Sequence, residues 1–560
     1  MWDLKATTKR LFRGRLASLY LFAIFALFLI ATHAPLLRLP YFWDEAGYYV
    51  PAARDLLGGS LIPHSTPSNA HPPLVLAWLA LGWKVFGFHP AVTRVAMLLL
   101  AAFCVLGFFR LALAVSNLHV AGWATLLTAI YPVFFAQSSL AQVDLPAAGL
   151  GFWGLEAYVR RKLGTGAVWF SLAALAKETA ILVPLALAVY EVFRCAAATV
   201  EQQGSELELK GSTSLAKTEG KSSHLSGKSG TRPLPYLWHA MVLLAPIIPL
   251  AIWYGYHFAR TGFVFGNPEF LRYNALATLH PLRIFLALLL RLWQTLGYMN
   301  LYVLTIACVM AMRQPPIHES SGTRQRIAVP TQLAFLAIIA VNVTAMSVVG
   351  GAVLARYLLP VVPLVILTGV STVWRRLTLW KPVLGIVALS FIAGLFVNPP
   401  YGFAPEDNLA YCDYIRLHRD ALHWLQARYP LAHVLTAWPA SGELTHPYLG
   451  YVEKPMPVVQ IEDFSADQLL AAADVDSRFD IALVFSTKYE THSILDRWKK
   501  WQDWKSRYFG FHRDLPPEIA AGVLRGRLVY VERQRGQWVG IVEIQRVHEA
   551  SLNAEIASVP

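Results

Sequence analysis

The sequence predicts an α-helical protein that crosses a membrane about eleven times and carries an α/β domain outside it. Three observations predict this fold class. Of 560 residues, 56% are hydrophobic and only 15% are charged, whereas soluble proteins carry about a quarter charged residues. Long apolar runs recur as far as residue 397, which is the pattern of membrane-spanning helices. From Pro399 onward the composition becomes that of an ordinary soluble domain.

The excess of positive charge, +13 in total, lies mostly between the apolar runs. Lys and Arg in such positions are typical of cytoplasmic loops, so we expect no nucleic-acid partner. Three of the four cysteines fall in or beside apolar runs, and no pair has the spacing of metal ligands. We therefore expect neither a disulfide framework nor a zinc site.

The first apolar run covers residues 16–37 and follows a basic segment. It is too long for the apolar part of a signal peptide, which predicts an uncleaved anchor with its N-terminal end inside. The next stretch, YFWDEAGYY at residues 41–49, then lies in an outer loop that covers residues 38–90. Within this loop, the apolar part of 71–90 is short and flanked by proline, which predicts an amphipathic helix on the outer surface.

The other predicted crossings alternate between basic inner loops and outer turns. They cover residues 91–114, 120–135, a fourth ending at Arg160, two short ones on either side of Lys177 and Glu178, and then 236–258, 282–312, 332–349, 358–374 and 382–397. Short, interrupted helices frequently form a site inside a membrane protein. Residues 202–232 are rich in Ser, Gly, Lys and Glu, which predicts a disordered cytoplasmic linker.

Two domains follow from this division: a membrane-embedded catalytic domain at 1–398 and a soluble domain at 399–560. In the second, we predict a helix at 420–429, buried strands at 433–438 and 479–485, and a hairpin of 528–532 with 538–544. Eleven crossings place this α/β domain on the outer side.

Seven polar residues from five regions fall at the outer ends of the predicted crossings: Asp44, Glu45, His71, Asp144, Lys177, Arg356 and Tyr357. An ionisable group at the edge of a membrane core is costly and indicates a functional site. Each residue also has a simpler explanation, such as a helix cap for Asp144 or interface anchors for Arg356 and Tyr357. Their convergence on one side of the membrane favours a common site.

A carboxylate beside cations suits transfer of a sugar from a glycosyl phosphate. Phosphate leaves without a general acid, so the reaction needs one carboxylate to accept the proton of the acceptor hydroxyl. Cations hold the departing phosphate. Asp44 and Glu45 cannot both face one bond, because the side chains of sequence neighbours diverge. One faces the site and the other positions it.

The motifs together resemble the GT-C superfamily of polyprenyl-phosphate-dependent glycosyltransferases. Within it, the chain is most similar to the protein O-mannosyltransferases, the lipid A aminoarabinose transferases and the RgtA/B/C/D-like bacterial enzymes. The resemblance covers about residues 16–398. It rests on WDEAxYY after the first helix, HPPL with Trp78 in the outer loop, residues 90–94, QVDLP at 142–146, LAKET at 175–179 and ARYLLP at 355–360.

The resemblance implies that Asp44 is the catalytic carboxylate and that Asp144 is the acid between the third and fourth crossings. It places Lys177 and Arg356 near the donor phosphate, and this chain has His71 where some relatives have lysine. The implied activity is that of an inverting glycosyltransferase of the inner membrane. It moves a monosaccharide from a polyprenyl-phosphate carrier to a lipid, glycan or protein acceptor outside.

The sequence does not specify a cofactor. Some members of the superfamily use a divalent cation, which two or three neighbouring carboxylates can hold. The alternatives are a transporter or lipid flippase with an ion site at mid-membrane, and a sensor whose outer domain binds a glycan. The clustering of charges on one face and the lack of an inverted repeat disfavour a transporter.

Overall fold

The computed structural model describes residues 14–199, 234–320, 322–474, 478–489 and 497–545, and most of them are helical. The basic residues before Gly14 and the predicted linker at 202–232 lie outside the described residues.

Helices dominate the chain as far as residue 398. They are α1 (Arg15–His33), α2 (Val50–Leu57), α3 (Leu74–Phe86), α4 (Pro90–Val115), α5 (Leu118–Ile130), α6 (Pro132–Gln137), α7 (Asp144–Val159), α8 (Leu163–Ala176), α9 (Glu178–Thr199), α10 (Leu234–Leu244), α11 (Ile247–Thr261), α12 (Pro268–Asn274), α13 (Pro281–Leu296), α14 (Leu301–Met312), α15 (Val329–Val348), α16 (Val362–Arg376) and α17 (Trp380–Phe396). A small hairpin of β1 (His318–Glu319) and β2 (Gly322–Thr323) joins α14 to α15.

Six helical segments among the described residues are long and apolar enough to cross a membrane. They are Leu16–Leu36, Pro90–Val115, Glu178–Thr199, Pro235–Thr261, Pro281–Met312 and Val329–Val348. Shorter apolar helices of 10–17 residues are α3, α5, α8 and α17. The prediction of a helical protein that passes through the membrane several times is confirmed, whereas eleven crossings and the outer placement of the C-terminal domain stay predictions.

Several predicted crossings are interrupted. The run 120–135 breaks before Pro132 and the run 236–258 breaks around Pro246, because proline lacks an amide hydrogen and disfavours helix in the preceding residue. The run 282–312 breaks where Met299 and Asn300 adopt positive φ angles of 47° and 67°. The helix after Lys177 was predicted to be short and is instead part of a 22-residue segment.

Small residues let the central helices approach closely. A β-carbon added at Gly149 of α7 would lie 1.8 Å from the Cys104 sulfur of α4. One added at Gly154 would lie 2.5 Å from the Phe170 ring of α8. Glycine at these helix crossings permits backbone contact, as is common in membrane helix bundles.

The C-terminal region forms a five-stranded sheet with flanking helices. Its elements are α18 (Tyr411–Arg428), β3 (Val434–Ala437), α19 (Ala440–Thr445), β4 (Val458–Ile461), α20 (Ala466–Ala473), β5 (Ile481–Phe485), α21 (Lys499–Phe509), α22 (Pro517–Val523), β6 (Gly526–Gln534) and β7 (Gln537–Ile544). The strand order is β4-β3-β5-β7-β6, with β3 parallel to both of its neighbours and β7 antiparallel to β5 and β6.

The predicted strands and hairpin of this region are confirmed. Both β3 and β5 are buried along their whole length, as expected of central strands covered on two faces. The helix predicted at 420–429 begins earlier, at Tyr411. The sequence prediction missed β4, which is only four residues long and partly exposed.

The sheet domain packs directly on the stretch at 41–49. The Tyr451 hydroxyl donates to the Tyr41 carbonyl at 2.8 Å. The Trp438 indole lies against Gly47 so closely that an added β-carbon would fall 2.3 Å from the ring. Buried residues of both regions therefore belong to one continuous hydrophobic core. Through this core, the C-terminal sheet domain holds the stretch at 41–49 in place.

Candidate active site

Breaks and ends of helices supply the polar residues of the candidate site. Asp44 immediately precedes a π-helical turn at Glu45–Tyr49, and Asp144 is the first residue of α7. Lys177 lies between α8 and α9 in extended backbone. Arg356 lies in the 3-10 turn Ala355–Leu358. Interrupted helices at this point turn side chains from distant parts of the sequence toward one place.

Arg356 is the centre of the cluster. Its guanidinium contacts three carboxylates: Asp44 at 2.5 Å, Glu406 at 2.5 Å and Asp144 at 3.3 Å. It also donates to the Gln142 side-chain oxygen at 2.7 Å. The structure therefore brings Asp44, Asp144 and Arg356 together, as predicted from sequence.

Lys177 joins the cluster through Asp144. The ammonium nitrogen of Lys177 lies 2.5 Å from one Asp144 oxygen, while the other Asp144 oxygen faces Arg356. The same nitrogen lies 4.1 Å from the centre of the Tyr357 ring. Tyr357 therefore borders both cations of the cluster.

Asp44 is the accessible member. Its side chain is 26% exposed, against 4% for Asp144, 8% for Lys177 and 4% for Arg356. Trp43, directly before it, has a positive φ of 42°. A bulky residue is strained in that conformation, and such strain concentrates at functional sites.

Glu45 points away from this cluster into a second ion pair. Its carboxylate binds Arg94, with both side chains buried, and accepts hydrogen bonds from the backbone amides of Phe42 at 2.8 Å and Ala141 at 2.5 Å. Arg94 also donates to the carbonyls of Pro40 and Ser139 at 2.9 Å each. Glu45 thus joins the stretch at 41–49 to the segment before α7.

His71 pairs with a carboxylate other than the three that contact Arg356. Its Nδ1 is 2.8 Å from the Glu178 carboxylate, and its ring stacks on Tyr49 with an interplanar angle of 17°. Lys177 thus pairs with Asp144, whereas its sequence neighbour Glu178 pairs with His71.

Glu406 is a member of the site that the sequence analysis missed. It lies in the turn Pro405–Asp407, between α17 and the sheet domain. Besides Arg356, it accepts a hydrogen bond from the Gln142 amide at 2.8 Å. Burial is the main cause that raises its pKa to about 7, although Arg356 lowers it. Burial likewise raises the pKa of the neighbouring Asp407 to about 6.

Two buried arginines of α13 were also missed. Among the described residues, neither Arg283 nor Arg291 forms an ion pair, and both donate to backbone carbonyls between residues 346 and 354. Arg291 lies 5.6 Å from the centre of the Tyr357 ring. One of its terminal nitrogens is buried without a hydrogen-bond partner. An unpaired buried cation is costly, so this position favours an anionic ligand.

The residues present do not fit a divalent cation at this position. Within the described ranges, no group of three or more His, Cys, Asp or Glu side chains has the arrangement of a metal site. The three carboxylates converge instead on Arg356, whose guanidinium supplies the neutralising charge between them.

Solved structures give the only likeness found, since neither a family profile nor a curated protein matches the chain. ArnT from Cupriavidus metallidurans bound to undecaprenyl phosphate is similar at a TM-score of 0.50 and 14% identity, covering 94% of this chain and 98% of that one. Its apo form gives a TM-score of 0.49 at 14% identity, covering 93% and 97%. AglB from Archaeoglobus fulgidus, solved with an inhibitory peptide and a dolichol-phosphate, gives only 0.40 at 12% identity, covering 94% and 74%. The first match shows that the chain has the fold of ArnT along nearly its whole length.

Proposed function

From the GT-C fold, which confirms the resemblance stated for the sequence, we propose that this protein is an inverting glycosyltransferase. It transfers a monosaccharide from a polyprenyl-phosphate carrier to a lipid, glycan or protein acceptor on the outer face of the inner membrane. The single observation that carries the proposal is the accessible Asp44 carboxylate beside Arg356, Lys177 and Tyr357. The similar ArnT structure holds undecaprenyl phosphate, which is a carrier of this class.

Asp44 is the proposed base. It accepts the proton of the acceptor hydroxyl while the acceptor oxygen attacks the anomeric carbon of the sugar. The bond from that carbon to the phosphate oxygen breaks, and the electron pair leaves with the phosphate. One displacement inverts the configuration. A positioned base of this kind contributes about 10²- to 10⁴-fold to the rate.

Lys177, Arg356 and Arg291, together with the Tyr357 hydroxyl, are the proposed ligands of the donor phosphate. Without donor, the carboxylates of Asp44, Asp144 and Glu406 pair with Arg356 and Lys177. A phosphate that binds here must therefore displace at least one carboxylate from Arg356. Charge-assisted hydrogen bonds from cations to phosphate then stabilise the charge that grows on the leaving group.

Glu45, His71 and Asp144 complete the proposal with positioning roles. Glu45 fixes the backbone on either side of Asp44 through the amides of Phe42 and Ala141. Asp144 holds Lys177 in place. His71, paired with Glu178, stacks on Tyr49 and holds its ring in place. Of the two neighbouring acids, Asp44 is thus the one proposed to face the site, and Glu45 is the one proposed to position it.

The test is sugar transfer from a radiolabelled polyprenyl-phosphate donor in membranes that contain the protein. We expect transfer by the parental chain and by Asp420→Asn, an acid exposed on the sheet domain, but not by Asp44→Asn. Mass spectrometry of lipids that co-purify with the protein identifies the carrier and its sugar. Lipid movement across the bilayer without any sugar transfer would favour the alternative of a transporter or flippase.

The proposed orientation is tested separately. A reporter fused after Gly402 should be active only on the outer side, and one fused near residue 214 only on the inner side. The opposite result at either point would contradict the orientation and move the site to the cytoplasmic face.

A further inference from the structure

A cavity of about 60 Å³ lies at the end of α7 opposite Asp144, between α7, α9 and the beginning of α15. It is lined by Leu155, Tyr158, Val159, Arg161, Leu187, Tyr190, Arg194, Pro330, Thr331, Ala334 and Phe335. With 1.5 Å of rise per residue, the length of α7 separates it from Asp144 by roughly 22 Å. It is thus a separate site from the cluster around Arg356.

Arg161 contributes the free cation of this cavity. It follows α7 directly and has a positive φ of 59°, because it is the left-handed residue of a helix cap in which the amides of Arg161 and Lys162 donate to the carbonyls of Tyr158 and Ala157. In the part of the chain that the structure describes, Arg161 forms no ion pair, whereas the adjacent Arg160 pairs with Glu156 at 2.7 Å. The turn that ends α7 therefore places an uncompensated guanidinium at the cavity.

Arg194 contributes a second guanidinium, held in place from two sides. It lies 3.3 Å from Glu191 and 4.7 Å from the centre of the Tyr236 ring. Glu191 is fully buried and shared, because it also accepts a hydrogen bond from the Tyr158 hydroxyl at 2.5 Å. With Arg161 unopposed, the cavity carries excess positive charge. The Tyr158 and Tyr190 hydroxyls at its wall donate to Glu191 and to the Pro330 carbonyl.

We propose that this cavity binds the phosphate of an anionic phospholipid headgroup. Arg161 and Arg194 would hold the phosphate, and the Tyr158 and Tyr190 side chains lie beside it. Next to the cavity, α9 exposes apolar side chains: Val189, Val192 and Phe193 are 41%, 48% and 70% exposed. These suit acyl chains, and basic pockets between membrane helices are known to take such headgroups. In the proposed orientation, this is the cytoplasmic leaflet.

The experiment measures lipid binding by the full chain in nanodiscs and by native mass spectrometry after mild delipidation. The probes are phosphatidylglycerol, phosphatidylcholine and soluble glycerol 3-phosphate. We expect phosphatidylglycerol to be retained selectively, and Arg161→Gln to weaken its retention by about tenfold, the size of one lost charge-assisted contact. Lys162→Gln removes an adjacent exposed cation that does not line the cavity, and it should change retention little.

A further variant separates ligand binding from folding. Arg161→Gly removes the guanidinium and also the steric cost of a side chain in left-handed backbone. The variant should therefore unfold at an unchanged or higher temperature in neutral detergent. It should still lose phosphatidylglycerol. Equal retention by Arg161→Gln, Arg161→Gly and the parent would overturn the site. Equal losses of phosphatidylglycerol in Lys162→Gln and Arg161→Gln would show that retention depends on surface charge alone and would also overturn the site. Binding of glycerol 3-phosphate as tight as that of the lipid would overturn the lipid as its source.

Discussion

Two adjacent acids, Asp44 and Glu45, bind two different arginines, and the two arginine sites differ in how completely they are satisfied. Arg94 has one carboxylate partner, Glu45, and two backbone carbonyls, and the whole pair is buried. Arg356 is shared among three carboxylates, one of them 26% exposed. Its Nε is buried without a properly oriented hydrogen bond.

The difference separates a structural ion pair from one that can exchange partners. A saturated buried pair is costly to break, because either charge alone would be left without compensation. A guanidinium shared among three carboxylates keeps two of them when a phosphate replaces the third, so it loses less. An acid paired with an arginine thus fixes the backbone at Glu45, whereas an acid that shares its arginine leaves a binding site at Asp44.

The largest expected effect is on turnover. Asp44→Asn keeps the shape of the side chain and removes the base, so we expect transfer to fall about 10²- to 10⁴-fold while donor binding persists. The measurement is the transfer rate at matched expression, with donor affinity determined in parallel. A rate within a few-fold of the parent would remove Asp44 from the role of base and direct attention to Asp144.

The second prediction concerns folding at the Arg94 site. Glu45→Gln leaves the Arg94 charge buried without a negatively charged partner, so we expect it to destabilise the protein by about 3–5 kcal/mol. The measurement is thermal unfolding in detergent. The double variant Glu45→Gln with Arg94→Met should recover part of this loss. An unchanged unfolding temperature in Glu45→Gln would show that the two arginine sites do not differ as described.

The third prediction concerns the donor phosphate. Arg356→Ala and Lys177→Ala should each weaken binding of the polyprenyl-phosphate donor by about 10- to 100-fold, because each removes a charge-assisted contact. Arg313→Ala, at an exposed residue after α14, is the control. Parental donor affinity in both variants would return Lys177 and Arg356 to roles as ion-pair partner and anchor.

The smallest expected effect is a pH dependence of a few-fold. Burial raises the pKa of Glu406 to about 7, with Arg356, Asp44 and Asp407 as its charged neighbours. As pH falls through 7, Glu406 takes up a proton and releases Arg356, so donor affinity should rise. The donor is a phosphodiester and keeps its charge in this range. Glu406→Gln should bind donor tightly at every pH, measured from pH 6 to 8.

The same raised pKa predicts a change in stability. A carboxyl group that prefers its neutral form in the folded protein contributes stability fully below its ordinary pKa of 4.5, and this is lost as pH rises through about 7. The unfolding temperature of the parent should therefore fall more between pH 5 and 8 than that of Glu406→Gln. Parallel curves would contradict the assignment of the titration to Glu406.

The sequence was informative where polar residues interrupt apolar runs. Asp44, Asp144, Lys177 and Arg356 stand out in such surroundings, since charge next to a membrane core is rare, and the structure brings them together. Arg291 gave the same signal inside a long apolar run and was overlooked. Glu406 gave none, because it lies in a segment where acids are ordinary and only the fold carries it back to Arg356.

The helix breaks also divide into those that the sequence predicts and those that it does not. Pro132 and Pro246 mark interruptions that local stereochemistry predicts. The break at Met299 and Asn300 follows Gly297, the C-cap of α13, but neither Met nor Asn excludes helix. There the Met299 amide donates to the Tyr401 hydroxyl at 3.0 Å, a partner 102 positions away in the sequence. The number of crossings was the least predictable quantity, because short apolar helices such as α8 fall near the length limit for a span.

The contact of Tyr451 with Tyr41 also sets an order of events during synthesis. The two residues are 410 positions apart, so a ribosome adding 5–20 residues per second reaches Tyr451 roughly 20–80 s after Tyr41. During that interval, the acidic stretch lacks Trp438, Tyr451 and Glu406. The candidate site is therefore complete only when the last third of the polypeptide has been made and folded against the first.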